Sequence, residues 1–200
     1  MHEYSIDVDQ KNIIFYIAAF SIALSSLLTA LIGYLTESFP IVSFWGPVTA
    51  ISIFGLLYTV FDKKMWRWKA LKKIGLVKVP DLDGEWEGTF NSSFHEFNES
   101  FPAQFKIEQT WTRICIMGRF NDSKSSSYTS AIKVNAGGGI QVFYSYQNEK
   151  NAEKADEPFS DHKGYGSLLL NKEENKIEGT YFNNPSNNRN HGRLKLQRKP

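Results

Sequence analysis

Two kinds of periodicity divide the chain. Ile13 to Leu35 and Ile41 to Phe61 are continuous apolar runs without Asp, Glu, Lys, Arg or His, separated only by Thr36-Glu37-Ser38-Phe39-Pro40. Each is long enough, at about 1.5 Å per residue, to cross a hydrocarbon core about 30 Å thick. The pattern predicts a two-helix membrane hairpin over 13–61, because so short a connection does no more than reverse the chain. Beyond Asp81 the period falls to two. Phe105, Ile107 and Gln109 alternate with Lys106, Glu108 and Thr110, and Leu194 and Leu196 alternate with Arg193, Lys195 and Gln197. Such alternation is the signature of strands buried on one face.

Eight strands are predicted: Gly84 to Asn91, Phe101 to Thr110, Thr112 to Phe120, Ser126 to Val134, Gly139 to Gln147, Lys163 to Leu170, Lys176 to Phe182 and Gly192 to Arg198. The stretches between them, such as Asn135 to Gly138 and Asn183 to Asn190, are rich in the Gly, Asn, Ser and Asp that reversals need. With no helical stretch interrupting, the expected fold is a transmembrane hairpin followed by a small eight-stranded antiparallel up-and-down β-barrel. Closure removes the exposed edges that an open meander would leave. A two-sheet sandwich is the alternative. The expected division is a cytoplasmic N-terminal segment 1–12, the hairpin 13–61, a basic linker 62–79 and a cytosolic barrel 80–200.

Charge refines this division. The net charge of +2 conceals Lys63, Lys64, Arg67, Lys69, Lys72, Lys73 and Lys78 in one juxtamembrane block against Asp62 alone. Such a block marks the cytoplasmic side, and places both termini there, in a multi-pass membrane protein. Ala19 with Ala23, Ser26 with Ala30 and Gly46 with Ala50 put small residues four apart. Those faces suit close helix approach, either within the hairpin or between copies. The N-terminus lacks the form of a cleaved signal, since Met1 to Asn12 carries Glu3, Asp7 and Asp9, and it is expected to be retained. A lone cysteine, Cys115, forbids an intrachain disulfide.

Inside a barrel of eight strands there is room for side chains or one small ligand, so polar and aromatic residues on inward positions are the informative ones. Gln109, Trp111 and Arg113 continue the phase of Phe105 and Ile107; Tyr144 and Tyr146 continue that of Val142; Tyr181 and Asn183 continue that of Ile177 and Gly179. Aromatic faces beside a guanidinium suit a flat anionic ligand. Strand propensity alone also accounts for the tyrosines, and a strand arginine is commonly solvated. His2, His95, His162 and His191 have no ligand-like spacing with each other or with Cys115, so no metal is expected. Gly137-Gly138-Gly139 opens no helix and lacks a phosphate-loop lysine. No catalytic motif stands out, and the chain is not expected to be an enzyme.

Gly84-Glu85-Trp86-Glu87-Gly88 near the barrel start, Tyr144-Ser145-Tyr146-Gln147-Asn148, His162-Lys163-Gly164, Gly179-Thr180-Tyr181 and Arg189-Asn190-His191-Gly192 complete the picture. Together with the two-span anchor and basic linker, they resemble the membrane effectors of CBASS, the bacterial anti-phage systems built on cyclic-oligonucleotide synthases. The resemblance spans essentially the whole chain. It implies a barrel that binds a cyclic di- or oligonucleotide messenger, whereupon the anchors self-associate in the lipid bilayer, disrupt the inner membrane and kill the infected cell. It implies no cofactor besides that activating nucleotide, and no DNA or RNA partner. A ligand role is carried onto Tyr144, Tyr146, Asn148, His162, Tyr181 and Arg189, and the phase argument adds Trp111 and Arg113. The rival expectation is a membrane-tethered carrier resembling a lipocalin, holding an apolar ligand.

Overall fold

The structure is a computed structural model that describes residues 1–38, 50–120, 123–135, 137–150, 162–183 and 190–200. It divides into two compact units, one of Met1–Val8 with Val79–Pro200 and one of Asp9–Lys78.

The second unit holds the helices. α1 (Lys11–Ser38) has 28 residues, about 42 Å at the α-helical rise, and α2 (Ala50–Lys63) has 14; the short α3 (Lys69–Lys73) follows. Lys11–Leu35 is long and apolar enough to cross a membrane, and Phe15, Phe20, Ile22, Leu27 and Leu31 are exposed along it. A soluble core helix would bury these residues; α1 presents them to its surroundings, as a helix with lipid for solvent does. Three of its hydroxyls are satisfied internally: Ser21, Ser26 and Thr29 donate to the carbonyls of Ile17, Ile22 and Ser25 at 2.6, 3.0 and 2.9 Å. Residues 41–49 of the expected second span lie outside the described residues, and α2 alone, about 21 Å, is shorter than a hydrocarbon core.

The first unit is a closed barrel, which settles the choice against a two-sheet sandwich. Its nine strands are β1 (His2–Ile6), β2 (Gly84–Ser92), β3 (Phe101–Gln109), β4 (Arg113–Phe120), β5 (Ser123–Lys133), β6 (Ile140–Lys150), β7 (His162–Leu170), β8 (Lys176–Asn183) and β9 (His191–Arg198). From β2 to β9 every sequential pair is antiparallel, and β2 closes on β9. These are the eight strands expected from the alternation. The ninth corrects the count. Residues 2–6, expected as part of a free N-terminal segment, form a strand wedged between β4 and β5, antiparallel to β4 and parallel to β5.

The strand directions give the barrel two ends. At one, the β3–β4, β5–β6 and β7–β8 turns meet the chain leaving at Ile6 and returning at Gly84; we call this the closed end. Trp86, Leu82 and Trp111 are at most 1 % exposed there, and the indole of Trp86 donates to the Leu82 carbonyl at 2.9 Å. Gln109 sews residues 80–83 across the opening: its amide oxygen accepts from Leu82 N–H at 2.8 Å and its amide nitrogen donates to Pro80 O at 3.1 Å. Asp83 caps the backbone N–H of Gln109 at 2.8 Å, and the Arg198 guanidinium lies 4.7 Å from the Trp86 ring centre. At the other end, the mouth, lie the strand ends Ser92 and Phe101, Phe120 and Ser123, Lys150 and His162, and Asn183 and His191.

Candidate ligand pocket at the barrel mouth

The mouth is not filled. A cavity of about 150 Å³ opens there, walled by Phe90, Phe105, Phe120, Tyr144, Tyr146 and Tyr181, with Ser123, Ser125, Asn148, His162 and Asn183 toward the rim. The aromatic rings form two touching groups. Phe90 touches Phe101, Phe120 and Tyr181 with ring centres 5.5, 5.1 and 6.4 Å apart, and Tyr144 and Tyr146 lie 5.7 Å apart. These separations fall in the range of edge and tilted aromatic contacts.

The tyrosines lie against the wall because glycine stands opposite each of them. Tyr144 pairs with Gly166, Tyr146 with Gly164, and Tyr181 with Gly192. A Cβ at any of the three glycines would overlap the facing tyrosine ring. The missing side chains let each ring fold over its neighbour's backbone instead of standing into the lumen, and the cavity is the space left behind.

Burial sets the chemistry of the phenols. Desolvation, with the neighbouring tyrosines adding to it, pushes Tyr144 and Tyr146 well above the ordinary phenol value. Tyr181 is raised for the same first reason, offset in part by a hydrogen bond with Ser92. The three are therefore neutral groups that can donate a hydrogen bond or present a ring face. At the rim the Asn183 amide and His162 Nε2 are 3.0 Å apart, and Asn183 is fixed by exchange with Asn190, donating through its N–H at 2.9 Å and accepting at its side-chain oxygen at 3.1 Å. Asn148 is 5 % exposed. Amide and imidazole edges thus stand above a floor of rings, an arrangement that can sandwich a flat heterocycle and read its polar edge.

Five residues singled out from the sequence meet in this cavity: Tyr144, Tyr146, Asn148, His162 and Tyr181. Arg189 lies outside the described residues. Trp111 and Arg113 lie elsewhere, and the reason is a change of phase. Thr110 turns the chain, its hydroxyl accepting from Thr112 and Arg113 N–H at 3.3 and 3.0 Å, so the inward set restarts at Ile114 and Ile116. Arg113 faces outward opposite Glu3, and Trp111 is buried at the closed end, its carbonyl accepting from the Tyr4 hydroxyl at 2.7 Å. No Lys or Arg lines the cavity among the described residues. Phe90, Phe120, Ser123 and Ser125 were not foreseen. The alternation that places Trp86 inward on β2 and Ile116 inward on β4, carried to the strand ends, is the signal that would have found the two phenylalanines.

Residues 77–198, which hold every described residue of the cavity, match the family model for the Cap15 cyclic dinucleotide receptor domain, and residues 11–67 match that for the Cap15 TM helices. The chain belongs to the Cap15 family. Among curated proteins, CD-NTase-associated protein 15 of Yersinia aleksiciae is 31 % identical over 138 residues, 68 % of this chain and 63 % of that protein. The aligned part thus spans less than two thirds of that relative's length. The CBASS resemblance read from the motifs is upheld by these matches, and the family model that covers the cavity is that of a receptor domain.

Proposed function

We propose that the barrel is the sensor of an anti-phage membrane effector, that its mouth binds a cyclic dinucleotide, and that binding drives assembly of the helical segments and disruption of the inner membrane. The observation that carries this reading is the rimmed aromatic cavity inside the matched receptor domain. Its volume of about 150 Å³ is comparable with engineered cavities that hold one benzene ring, so it takes one base of the dinucleotide and leaves the phosphates and second base outside. The ring faces stack that base; Asn148, Asn183 and His162 hydrogen-bond its edge; Ser123 and Ser125 lie toward the sugar and phosphate. Arg189 is the candidate cation, since the residue that follows it, Asn190, pairs with Asn183 at the mouth.

Topology supports the membrane part. Strand β1 precedes α1 and belongs to the same barrel as residues 79–200. The two flanks of the helical segment therefore lie on one side of any bilayer it enters, and a chain that crosses must cross back. The basic block after α2 makes that side the cytoplasm. Assembly follows from binding only if the ligand prefers the assembled form; many hairpins gathered on their small-residue faces would then thin or rearrange the lipid.

Calorimetry of the full chain in lipid nanodiscs against a panel of cyclic dinucleotides tests the site. Saturable binding that is weakened by Tyr146→Ala or Arg189→Ala, with the fold intact, is the expected result, and a Tyr146→Ala chain that binds every active compound as tightly as the wild type would remove that residue from the pocket. Sedimentation of the same samples tests assembly, and a liposome leakage assay tests membrane disruption. An apolar ligand, as in a carrier, would show no salt dependence, whereas a phosphate held by Arg189 would.

A further inference from the structure

The weakest seam of the barrel is the one that sequence alternation did not reveal. β1 belongs to neither matched family segment, since those begin at residues 11 and 77. It changes partner half-way: His2 and Glu3 pair with Ile114 and Arg113 of β4, and Tyr4, Ser5 and Ile6 pair in parallel with Ser130, Ala131 and Ile132 of β5. Of its side chains only Tyr4 and Ile6 pack against the apolar core, both partly buried. Hydrogen bonds clamp its ends. His2 Nε2 is 2.9 Å from the Ser127 hydroxyl, which also accepts from Ile116 N–H at 2.9 Å; the Asp7 carboxylate accepts from Val134 and Asn135 N–H at 2.7 and 3.2 Å.

The strands it parts have a ready alternative. β4 and β5 already pair directly from Phe120↔Ser123 to Met117↔Ser126, and separate only where β1 enters. A bulge between Ser127 and Thr129 sits at that point. If Tyr128 and Thr129 together face Cys115, the ladder continues with Ile114 opposite Ser130 and Arg113 opposite Ala131. That register keeps Ile114 and Ser130 inward and Arg113 outward, as they are now. The backbone groups of Arg113, Ile114, Ser130 and Ala131 that β1 satisfies would then satisfy each other.

We propose that β1 is a detachable strand and that the barrel exchanges between two closed forms, nine-stranded with β1 docked and eight-stranded with β4 and β5 zipped together. The occupant of the slot is the chain's own residues 2–6. Because a barrel's width follows its strand number, the exchange alters the wall that carries Phe120, Ser123 and Ser125 to the mouth. Because residues 7–10 alone join β1 to α1, it also frees or holds the start of the membrane helix. This goes beyond the ligand assignment and stands or falls apart from it.

Paired cysteines in the full chain, with Cys115→Ser to remove the native thiol, distinguish the two forms. Arg113→Cys with Ala131→Cys cannot bridge while β1 lies between them, since two strand spacings are about 10 Å and a disulfide needs Cα atoms within about 7 Å. Glu3→Cys with Arg113→Cys bridges only when β1 is docked. Under mild oxidation the second pair should close quickly, and the first slowly but fully. Adding Asp7→Ala, which removes the lower clamp, should speed the first pair several-fold and slow the second. A 113–131 pair that never closes, or that Asp7→Ala does not speed, or failure of the 3–113 pair in the folded protein, would each overturn the proposal.

Discussion

The two ends of the barrel are made from the same eight hairpin-connected strands, yet one is plugged and the other hollow. At the closed end Trp86 and Gln109 point inward and their side-chain polar atoms are tied to backbone: Trp86 to Leu82, Gln109 to both Leu82 and Pro80. At the mouth the large residues are as plentiful, but Gly164, Gly166 and Gly192 let the tyrosines lie along the wall. Space inside the barrel is thus decided by what stands opposite each ring and not by how many rings there are. A plugged end carries stability; a hollow end carries specificity at some expense of it.

The contrast breaks most severely at Trp86. Its removal in Trp86→Ala deletes a ring with no exposed surface and leaves Leu82 O without its donor, so a loss of about 3–5 kcal/mol is expected in denaturant unfolding of the full chain. The equivalent truncation at the mouth, Tyr146→Ala, enlarges a space that is already open and should lower stability by less. Its effect belongs in binding, where a lost stacking contact is worth about 1–3 kcal/mol. Comparable destabilisation by the two variants would mean that the mouth is core.

Gly166→Ala reverses the sense of the test. The added methyl must push the Tyr144 ring off the wall and into the cavity, at a strain of about 1–3 kcal/mol. Ligand affinity should fall although residue 166 does not line the cavity, and a double change with Tyr144→Ala should recover stability. At the other end Gln109→Leu keeps the bulk and removes the staple. Leu82 N–H and Pro80 O are then unpaired in a buried place, at about 1–3 kcal/mol, with ligand affinity unchanged.

The sequence displays one half of this contrast more readily than the other. Period-two alternation in Phe105-Ile107-Gln109 or Leu194-Leu196 reports directly which face is wet, so eight strands and their reversals were legible. β1 was not: His2, Tyr4 and Ile6 do alternate with Glu3 and Ser5, but five residues with an acid among them, just ahead of a long apolar run, resemble a solvated leader. Tyr144, Tyr146 and Tyr181 were legible as inward positions, whereas the hollow they line was not, because glycine matters only through the register that sets it opposite a ring. Arg113 failed for the converse reason. Alternation holds within a strand, and the Thr110 turn restarts it.

The smallest effect separates the two ends by titration. Tyr144 and Tyr146 keep their protons in the folded barrel far above the ordinary phenol value of 10.0, chiefly because burial penalises the phenolate. In the unfolded chain both ionise near that value. The stabilisation they give is therefore complete below pH 10 and is lost as pH rises beyond it, by about 0.8 kcal/mol per tyrosine at pH 10.5. Lysines and exposed tyrosines titrate in the same window, so the useful quantity is a difference between chains. Tyr144→Phe removes one buried phenol and should flatten the decline between pH 9 and 10.5 by about that amount, while Gln109→Leu should lower the whole curve and leave its slope alone. Equal slopes for wild type and Tyr144→Phe would show that water reaches Tyr144 in the folded state, and that the hollow end extends deeper into the barrel than its aromatic floor.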